Sequence, residues 1–345
     1  MKLFKKAIAC IGILSMLATT SAMAATFTDM PEGEVGLAIE NAVNNGLIGG
    51  YDDNTVRPNG NITRAEMAAI ITRAFGVVDN AKATFGDVAD NAWYKDVVEK
   101  AVYMGAFQGD DKGNFNPEKN ITFQETYTVL ARVFQYIPRD VTVDGKKTTV
   151  PVLNDGALDK FEDASSVADW AKNYALAIVD RGGYTGFDGK LKPTDYITRG
   201  EFAMVMHELV SLYIDEAGTY TDGFGNGAVV VRCGDVTIDG LKTSKNVIVG
   251  YGAEKPVTIK NVESSASIVV LGGRDRTPVV KEVDGKKVSE PDDKLIDIHG
   301  KLYDVRILSP QTLAGIKWTN PANEVFIHVE DASSVIDFGI SGELE

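Results

Sequence analysis

At 345 residues, with 44% hydrophobic and 24% charged residues, the chain has the composition of a folded protein of two or three domains, not of a disordered one. Its 35 basic and 49 acidic residues leave a formal charge of −14, which argues against a nucleic-acid partner and requires any polyanionic ligand to find local basic groups. Two cysteines, Cys10 and Cys233, exclude a disulfide framework, and three scattered histidines, His207, His299 and His328, are too few for a zinc set.

Residues 1–24 read as a secretory signal: a basic MKLFKK start, an apolar AIACIGILSMLATT run, and Ala22-Met23-Ala24 as a small-residue cleavage site. Cys10 lies inside the apolar run with much of that run still to follow, which argues against a lipid-modified cysteine there. Removing this segment deletes three lysines and no acids, which takes the charge from −14 to −17 and leaves Cys233 as the only thiol. No later stretch approaches the ~20 apolar residues of a membrane-spanning helix, so an exported chain that is not embedded in a membrane is expected.

Three segments of about 50 residues then align without gaps from a glycine pair to a helix end, starting from Phe27, Phe85 and Phe161. In each, a first amphipathic helix (Ala42 and Val43, Ala101 and Val102, Ile178 and Val179) ends at a Gly-x-x-x-Gly loop: Gly46 and Gly50, Gly105 and Gly109, Gly182 and Gly186. A proline follows (Pro58, Pro117, Pro193), and five residues later a threonine opens a second helix. The apolar stripes of those second helices are Met67, Ile70, Ile71, Ala74 and Phe75; Val129, Leu130, Val133 and Phe134; and Phe202, Val205, Met206, Leu209 and Val210. One such unit is too small to close a core alone, so an all-α, pseudo-threefold bundle of three modules is expected.

The second helices begin NITRAE, NITFQE and YITRGE. Thr-x-x-Glu before an apolar helical run is a capping box, which assigns Thr63 with Glu66, Thr122 with Glu125 and Thr198 with Glu201 to architecture. Arginine at the next position does nothing for capping, and its charge opposes the helix dipole. Exposed amides at a helix start already favour an anion, and Arg64 and Arg199 add a planar donor fork suited to a carboxylate or phosphate. The bland alternative is that these arginines solvate a helix end or pair with one of the many carboxylates. Phe123 stands at that position in the second repeat, where a weakened or lost site is expected.

The frame F-x-D, G-x-x-x-G, P-x-x-x-x-T with ITRAE resembles the S-layer homology module, as a tandem of three over residues 27 to about 214. The resemblance implies a pseudo-trimeric bundle whose inter-module grooves hold secondary cell-wall polysaccharide, often through a pyruvyl ketal on an amino sugar. It implies Arg64 and Arg199 as ligand contacts, with the backbone at Gly50, Gly109 and Gly186 near the ligand. Arg57 and Lys192, directly before the prolines, are further candidates for polyanion contact. The chain departs from the pattern at Phe123, at Glu34 where the other repeats carry Trp93 and Trp170, and in an insert of about 17 residues. The insert's Val-Asp-Gly-Lys reads as a hairpin that borders, and partly covers, a groove. Two competent grooves at most are expected.

From about Gly218 the texture changes to short β-branched runs. VTIDGLKTSKNVIVG from 236 and VTIKNVESSASIVVL from 257 repeat at a coil-like period, with further strands starting at Val247 and Ile268. A small all-β domain, a parallel β-helix or solenoid, is expected, continued by the segments from 295 and 324, with 279–293 as a polar hairpin excursion. Asp235, Asp239, Asp297 and Asp304 read as surface or turn residues, and Arg274-Asp275-Arg276 as a solvated loop, so an enzymatic role has little support here. Asp52-Asp53-Asn54 and Asp110-Asp111 read as turns and not as calcium loops.

The expected organisation is multi-domain: signal 1–24, repeats 25–80, 81–137 and 161–215, insert 138–160, and β domain 216–345. The function expected is non-covalent anchoring at the cell surface, without catalytic residues, metal or cofactor. The partner is secondary cell-wall polysaccharide or a peptidoglycan-linked glycan, and self-association would run through the β domain. The alternatives are a wall-anchored polysaccharide-active enzyme and a tether for modified peptidoglycan.

Overall fold

The computed structural model describes residues 27–143, 146–272, 280–283, 286–289, 296–308, 313–318, 326–329 and 335–340. The signal segment and the Arg274–Arg276 loop lie outside the described residues.

Three helix pairs follow the three repeats: α1 (Gly33–Asn44) with α2 (Arg64–Ala74), α3 (Lys95–Tyr103) with α4 (Phe123–Val133), and α5 (Asp169–Ala177) with α6 (Arg199–Leu209). A π-helical stretch, Ile178–Gly182, extends α5. Each second helix opens on a reciprocal cap. Thr63 Oγ1 accepts from the Glu66 amide at 3.3 Å while the Glu66 carboxylate accepts from the Thr63 amide at 2.8 Å, and the same pair recurs at Thr122 with Glu125 and at Thr198 with Glu201. Thr122→Ala is expected to cost about 1 kcal/mol in urea unfolding. No measurable change would mean that the bundle, and not the cap, holds this helix start.

The isoleucine before each threonine has its own task. Ile62 N–H donates to Ile197 O at 3.0 Å, Ile197 to Ile121 O at 3.1 Å and Ile121 to Ile62 O at 3.0 Å. This closed triangle marks the pseudo-threefold axis, and all three side chains are fully buried around it. Packing is cyclic as well, with α3 against α2, α5 against α4 and α1 against α6.

The F-x-D residues brace the loops. Asp29 accepts from the Val56 and Arg57 amides, Asp87 from Phe115 and Asn116, and Asp163 from Leu191 and Lys192, at 2.7 to 2.8 Å. The third loop departs from a gapless alignment, since Gly186 to Pro193 is one residue shorter than Gly50 to Pro58 or Gly109 to Pro117. Gly186 alone of the three second loop glycines takes a positive φ, of 80°.

The insert forms a hairpin of β1 (Arg139–Val143) and β2 (Lys146–Val150). A β-solenoid begins as α6 ends. Its strands are β3 (Val210–Ile214), β4 (Gly218–Tyr220), β5 (Ala228–Val231), β6 (Val236–Asp239), β7 (Lys242–Thr243), β8 (Val247–Val249), β9 (Val257–Ser264) and β10 (Ser267–Val270). After the antiparallel excursion of β11 (Val280–Val283) and β12 (Lys286–Ser289) it continues with β13 (Ile296–Lys301), β14 (Asp304–Ile307), β15 (Leu313–Trp318), β16 (Phe326–Val329) and β17 (Val335–Ile340). Two parallel sheets result, one ordered β3-β5-β8-β10-β14-β16 and the other β4-β6-β9-β13-β15-β17, with β7 beside β9. The repeat in the sequence is the register of the coil: Val236 pairs with Val257, and Val247 with Ile268.

Val210, which continues the apolar stripe of α6 in the sequence, is therefore the first residue of a strand, and the coil starts inside the segment assigned to the third repeat. The β-branched and aromatic run Val210–Ile214 favours extended backbone once helix packing stops. The two sheets differ by environment. β6 alternates buried and half-buried residues, whereas β5, β8 and β10 are buried throughout. Val229, Val231, Val247, Val249 and Ile268 fill the coil interior, while Ala228, Val230, Ile248 and Val269 join the core of the helical bundle. One face of the first sheet is thus pressed onto the bundle, as a sheet buried on both faces requires of its sequence.

That contact also terminates the helices. Arg232 donates to Asn45 O at 2.9 Å and Arg73 O at 3.3 Å, Asn246 to Phe134 O at 2.9 Å, Arg306 to Gln135 O at 2.8 Å and Lys245 to Arg181 O at 3.1 Å. Solenoid side chains, mostly cationic, so satisfy the orphan carbonyls and the negative dipole ends of both helix ranks.

Candidate functional site

Each inter-module groove is assembled from a loop, the second helix of the same module, the first helix of the next, and the motif position of the module before. In the groove under α2, Arg64 leaves the helix start and lies against the loop of the second module. Its Nε donates to Phe115 O at 2.9 Å and its Nη2 to Gln108 O at 3.2 Å, and the guanidinium sits 5.1 Å from the centroids of Phe107 and Phe115. Nη1 has no hydrogen-bond partner among the described residues. Burial pulls the Arg64 pKa below the ordinary guanidinium value, opposed by the carboxylates of Glu125, Asp110 and Asp87. Glu125 is already committed to the Thr122 amide and to Lys119 Nζ at 2.9 Å.

The groove beside Arg64 has a volume of about 330 Å³ and is lined further by Gln108, Glu125, Arg132, Trp170 and Tyr174. Trp170 is 54% exposed, and Arg132 lies 5.3 Å over the Tyr174 ring. An indole and a phenol beside two guanidinium groups can stack a sugar ring and hold an anionic substituent. Trp170, Tyr174, Arg132 and Gln108 were not among the residues singled out as ligand contacts. The recurrence of Trp93 and Trp170 at one first-helix position is the signal that marks Trp170; no spacing marks the other three.

Arg199, in the third module, repeats the arrangement against the loop of the first, with Nε on Val56 O at 2.8 Å and Nη2 on Gly49 O at 2.6 Å. It is 7% exposed and lies over Tyr51, whose ring also carries Arg57. Among the described residues neither motif arginine pairs with a carboxylate, and neither simply solvates a helix end. Both clamp loop carbonyls of a neighbouring module, which is why an unfavourable cation persists in the first turn.

The other candidates are placed as follows. A side chain at Gly50, Gly109 or Gly186 would overlap the ring of Phe27, Phe85 or Phe161, so close packing within the module explains these glycines; Gly186 also lines a groove. Arg57 pairs with Asp53 at 3.0 Å and Lys192 with Glu201 at 2.9 Å, both with positive φ. Asp110 accepts from the Lys112 and Asn114 amides and from Asn116, which holds its pKa at about 2. Asp53 is bonded to Thr55 and Arg57. Both aspartates act within turns. In the solenoid, Asp235 pairs with Lys255, Asp239 with Lys260 and Asp297 with His299. Asp304 is no turn residue, since its side chain is fully buried.

At the remaining groove the equivalent of Arg64 is Phe123, fully buried and 5.5 Å edge-to-face from Phe187. The equivalents of Trp170 and Arg132 are Glu34 and Glu208, and both line this groove of about 390 Å³. Three departures scattered over three repeats converge here. Among the described residues none of the insert lines the Arg64 groove, and Arg139 at its base pairs with Asp304 of the solenoid at 2.6 Å.

Three loop-and-helix modules packed about a pseudo-threefold axis, with grooves of about 330 and 390 Å³ at two of their junctions, define the class of the bundle. The chain carries three S-layer homology domains, matched over residues 26–68, 84–126 and 160–203. It is 32% identical over 177 residues to a surface-layer 125 kDa protein of Lysinibacillus sphaericus, covering 50% of this chain and 14% of that one. It is 28% identical over 187 residues to the exoglucanase XynX of Acetivibrio thermocellus (54% and 16%) and 28% identical over 158 residues to a cellulosome-anchoring protein of the same species (44% and 32%). The chain thus spans a third or less of the length of these relatives. Among the described residues no helix is long and apolar enough to cross a membrane.

Proposed function

We propose that the bundle anchors this chain non-covalently to the cell wall by binding secondary cell-wall polysaccharide in the grooves headed by Arg64 and Arg199, with a pyruvylated sugar as the charged determinant. The observation that carries this is Arg64: two of its nitrogens are fixed on loop carbonyls and Nη1 remains for a ligand, beside exposed Trp170. A cation held this way costs little further ordering when it meets a carboxylate. The comparisons support the reading, because relatives named for a surface layer, for cellulosome anchoring and for a glucanase share this region while their names differ in everything else. Attachment is the role common to such a set, and the chain's place is outside the cell, on the wall.

Two grooves on a repetitive polymer make the second contact intramolecular, which strengthens attachment by ~10² to 10⁴ over either alone. The third groove carries Phe123 in place of the motif arginine, with Lys192 Nζ 5.9 Å from its ring and paired to Glu201, and contributes less to anion binding. Trp170→Ala tests the reading without disturbing the clamp: retention by purified wall sacculi should fall about tenfold or more, with an unchanged melting temperature. Full retention would remove the sugar from this groove.

A further inference from the structure

The Arg64 groove has a neighbour. The loop after α3 lines both: Ala106, Phe107 and Gln108 border the groove, whereas Tyr103, Met104 and Gly105 border a second cavity, of about 380 Å³, where the second module meets the solenoid. The end of α4 is shared in the same way, with Arg132 at the groove and Gln135 at the cavity, tied by Gln135 Nε2 donating to Arg132 O at 2.8 Å. The solenoid supplies the remaining wall with Tyr251, Leu271 and Leu308. Size and place, at a junction of two domains, are those of small-molecule sites. Gln135 is where the repeats disagree. Its equivalent after α2 is Gly76, with φ of 65°, and there the solenoid packs so closely that a Cβ would stand 3.2 Å from the Gly252 amide. Gln135 keeps the left-handed backbone, with φ of 57°, at a conformational cost that glycine avoids, and so places a primary amide at the cavity. Among the described residues its Oε1 accepts no hydrogen bond, and no carboxylate or cation lines the cavity.

We propose that this cavity is a subsite for an uncharged N-acetylated hexosamine, with Tyr251 against the ring, Met104, Leu271 and Leu308 around the acetamide methyl, and Gln135 Oε1 accepting from the acetamide N–H. Tyr103 lies edge-on to Tyr251 with ring centroids 5.8 Å apart, which steadies the platform that the sugar meets. A charged sugar would give up hydration here without a counter-ion, and a plain hexose would leave the leucines without an apolar partner. Position selects a glycan: consecutive residues of one loop line both cavities, so neighbouring sugars of one polymer can occupy both. The proposal rests on the wall-binding reading for the source of its ligand, and it makes the solenoid part of the binding surface.

The test is an NMR titration of the full chain with the N-acetylated chitin trisaccharide and with cellotriose, which lacks the acetamides. The chitin oligomer should bind saturably, and cellotriose about tenfold more weakly or not at all. Gln135→Gly and Tyr251→Ala should each weaken the chitin oligomer about tenfold or more, whereas Trp170→Ala in the neighbouring groove should leave it unchanged. Gln135→Gly separates binding from folding: glycine suits the positive φ, and Arg306 Nη1 still donates to the carbonyl at 135, now at 2.8 Å, so an unchanged melting temperature is expected. No saturable binding of the chitin oligomer, equal binding of cellotriose, undiminished binding by either cavity variant, or loss on Trp170→Ala would each overturn the proposal. Weakening only in variants that also melt earlier would assign these residues to packing and overturn it as well. Both probes are uncharged, so failure here leaves the arginine grooves standing, and failure of pyruvate recognition leaves this subsite standing.

Discussion

A chain ended at Leu209 is expected to lose the cooperative fold of its helices. The cut would expose the apolar base of the bundle now covered by Ala228, Val230, Ile248 and Val269. It would also remove Arg232, Lys245, Asn246 and Arg306 from the helix-end carbonyls, together with the Tyr251 amide from Phe75 O at 2.9 Å. Hydrogen bonds from charged donors contribute ~1.5–3 kcal/mol each, so three such losses approach the ~5–15 kcal/mol that holds a domain together. The truncated chain should melt broadly and bind a hydrophobic dye. A sharp transition within a few degrees of the full chain would show that the bundle closes its own base.

The second large effect is expected at Asp304, the buried tie between insert and solenoid. Its carboxylate accepts from Arg139 Nη2 at 2.6 Å, Arg139 Nη1 at 3.4 Å and Ser267 Oγ at 2.6 Å, and the side chains of aspartate and arginine are 0% and 14% exposed. Asp304→Ala strands a guanidinium in a dry site, and breaking such a pair costs ~3–5 kcal/mol. Adding Arg139→Met should recover most of that loss, because the uncompensated charge, more than the missing attraction, destabilises the single variant. Denaturant unfolding of both variants measures this; a loss below ~1 kcal/mol for the single variant would mean that water reaches the site.

What the sequence made legible was what has a local period. The capping boxes, the helix stripes and the register of Val236 with Val257 all follow from spacing within one repeat or between adjacent turns. The hand-over at Val210 was hidden because a valine after Leu209 suits a helical stripe and a strand equally. The docking of the first sheet was written in the unbroken burial of Ala228–Val231, but a run buried on both faces does not name its second partner. Arg64 and Arg199 stood out as locally costly, yet their carbonyl partners lie in other modules, far along the chain. Glu34 and Phe123 stand as separate departures in two repeats, and cyclic packing places both at one groove together with Glu208, which no spacing in the sequence marks.

The most direct measurement is titration of the full chain with soluble wall polysaccharide before and after mild acid removes its ketal pyruvate. Saturable binding to the intact polymer that is lost from the stripped one, with no change in the protein's melting temperature, is the result expected of a guanidinium held open for a carboxylate. Equal affinity for both polymers would contradict it.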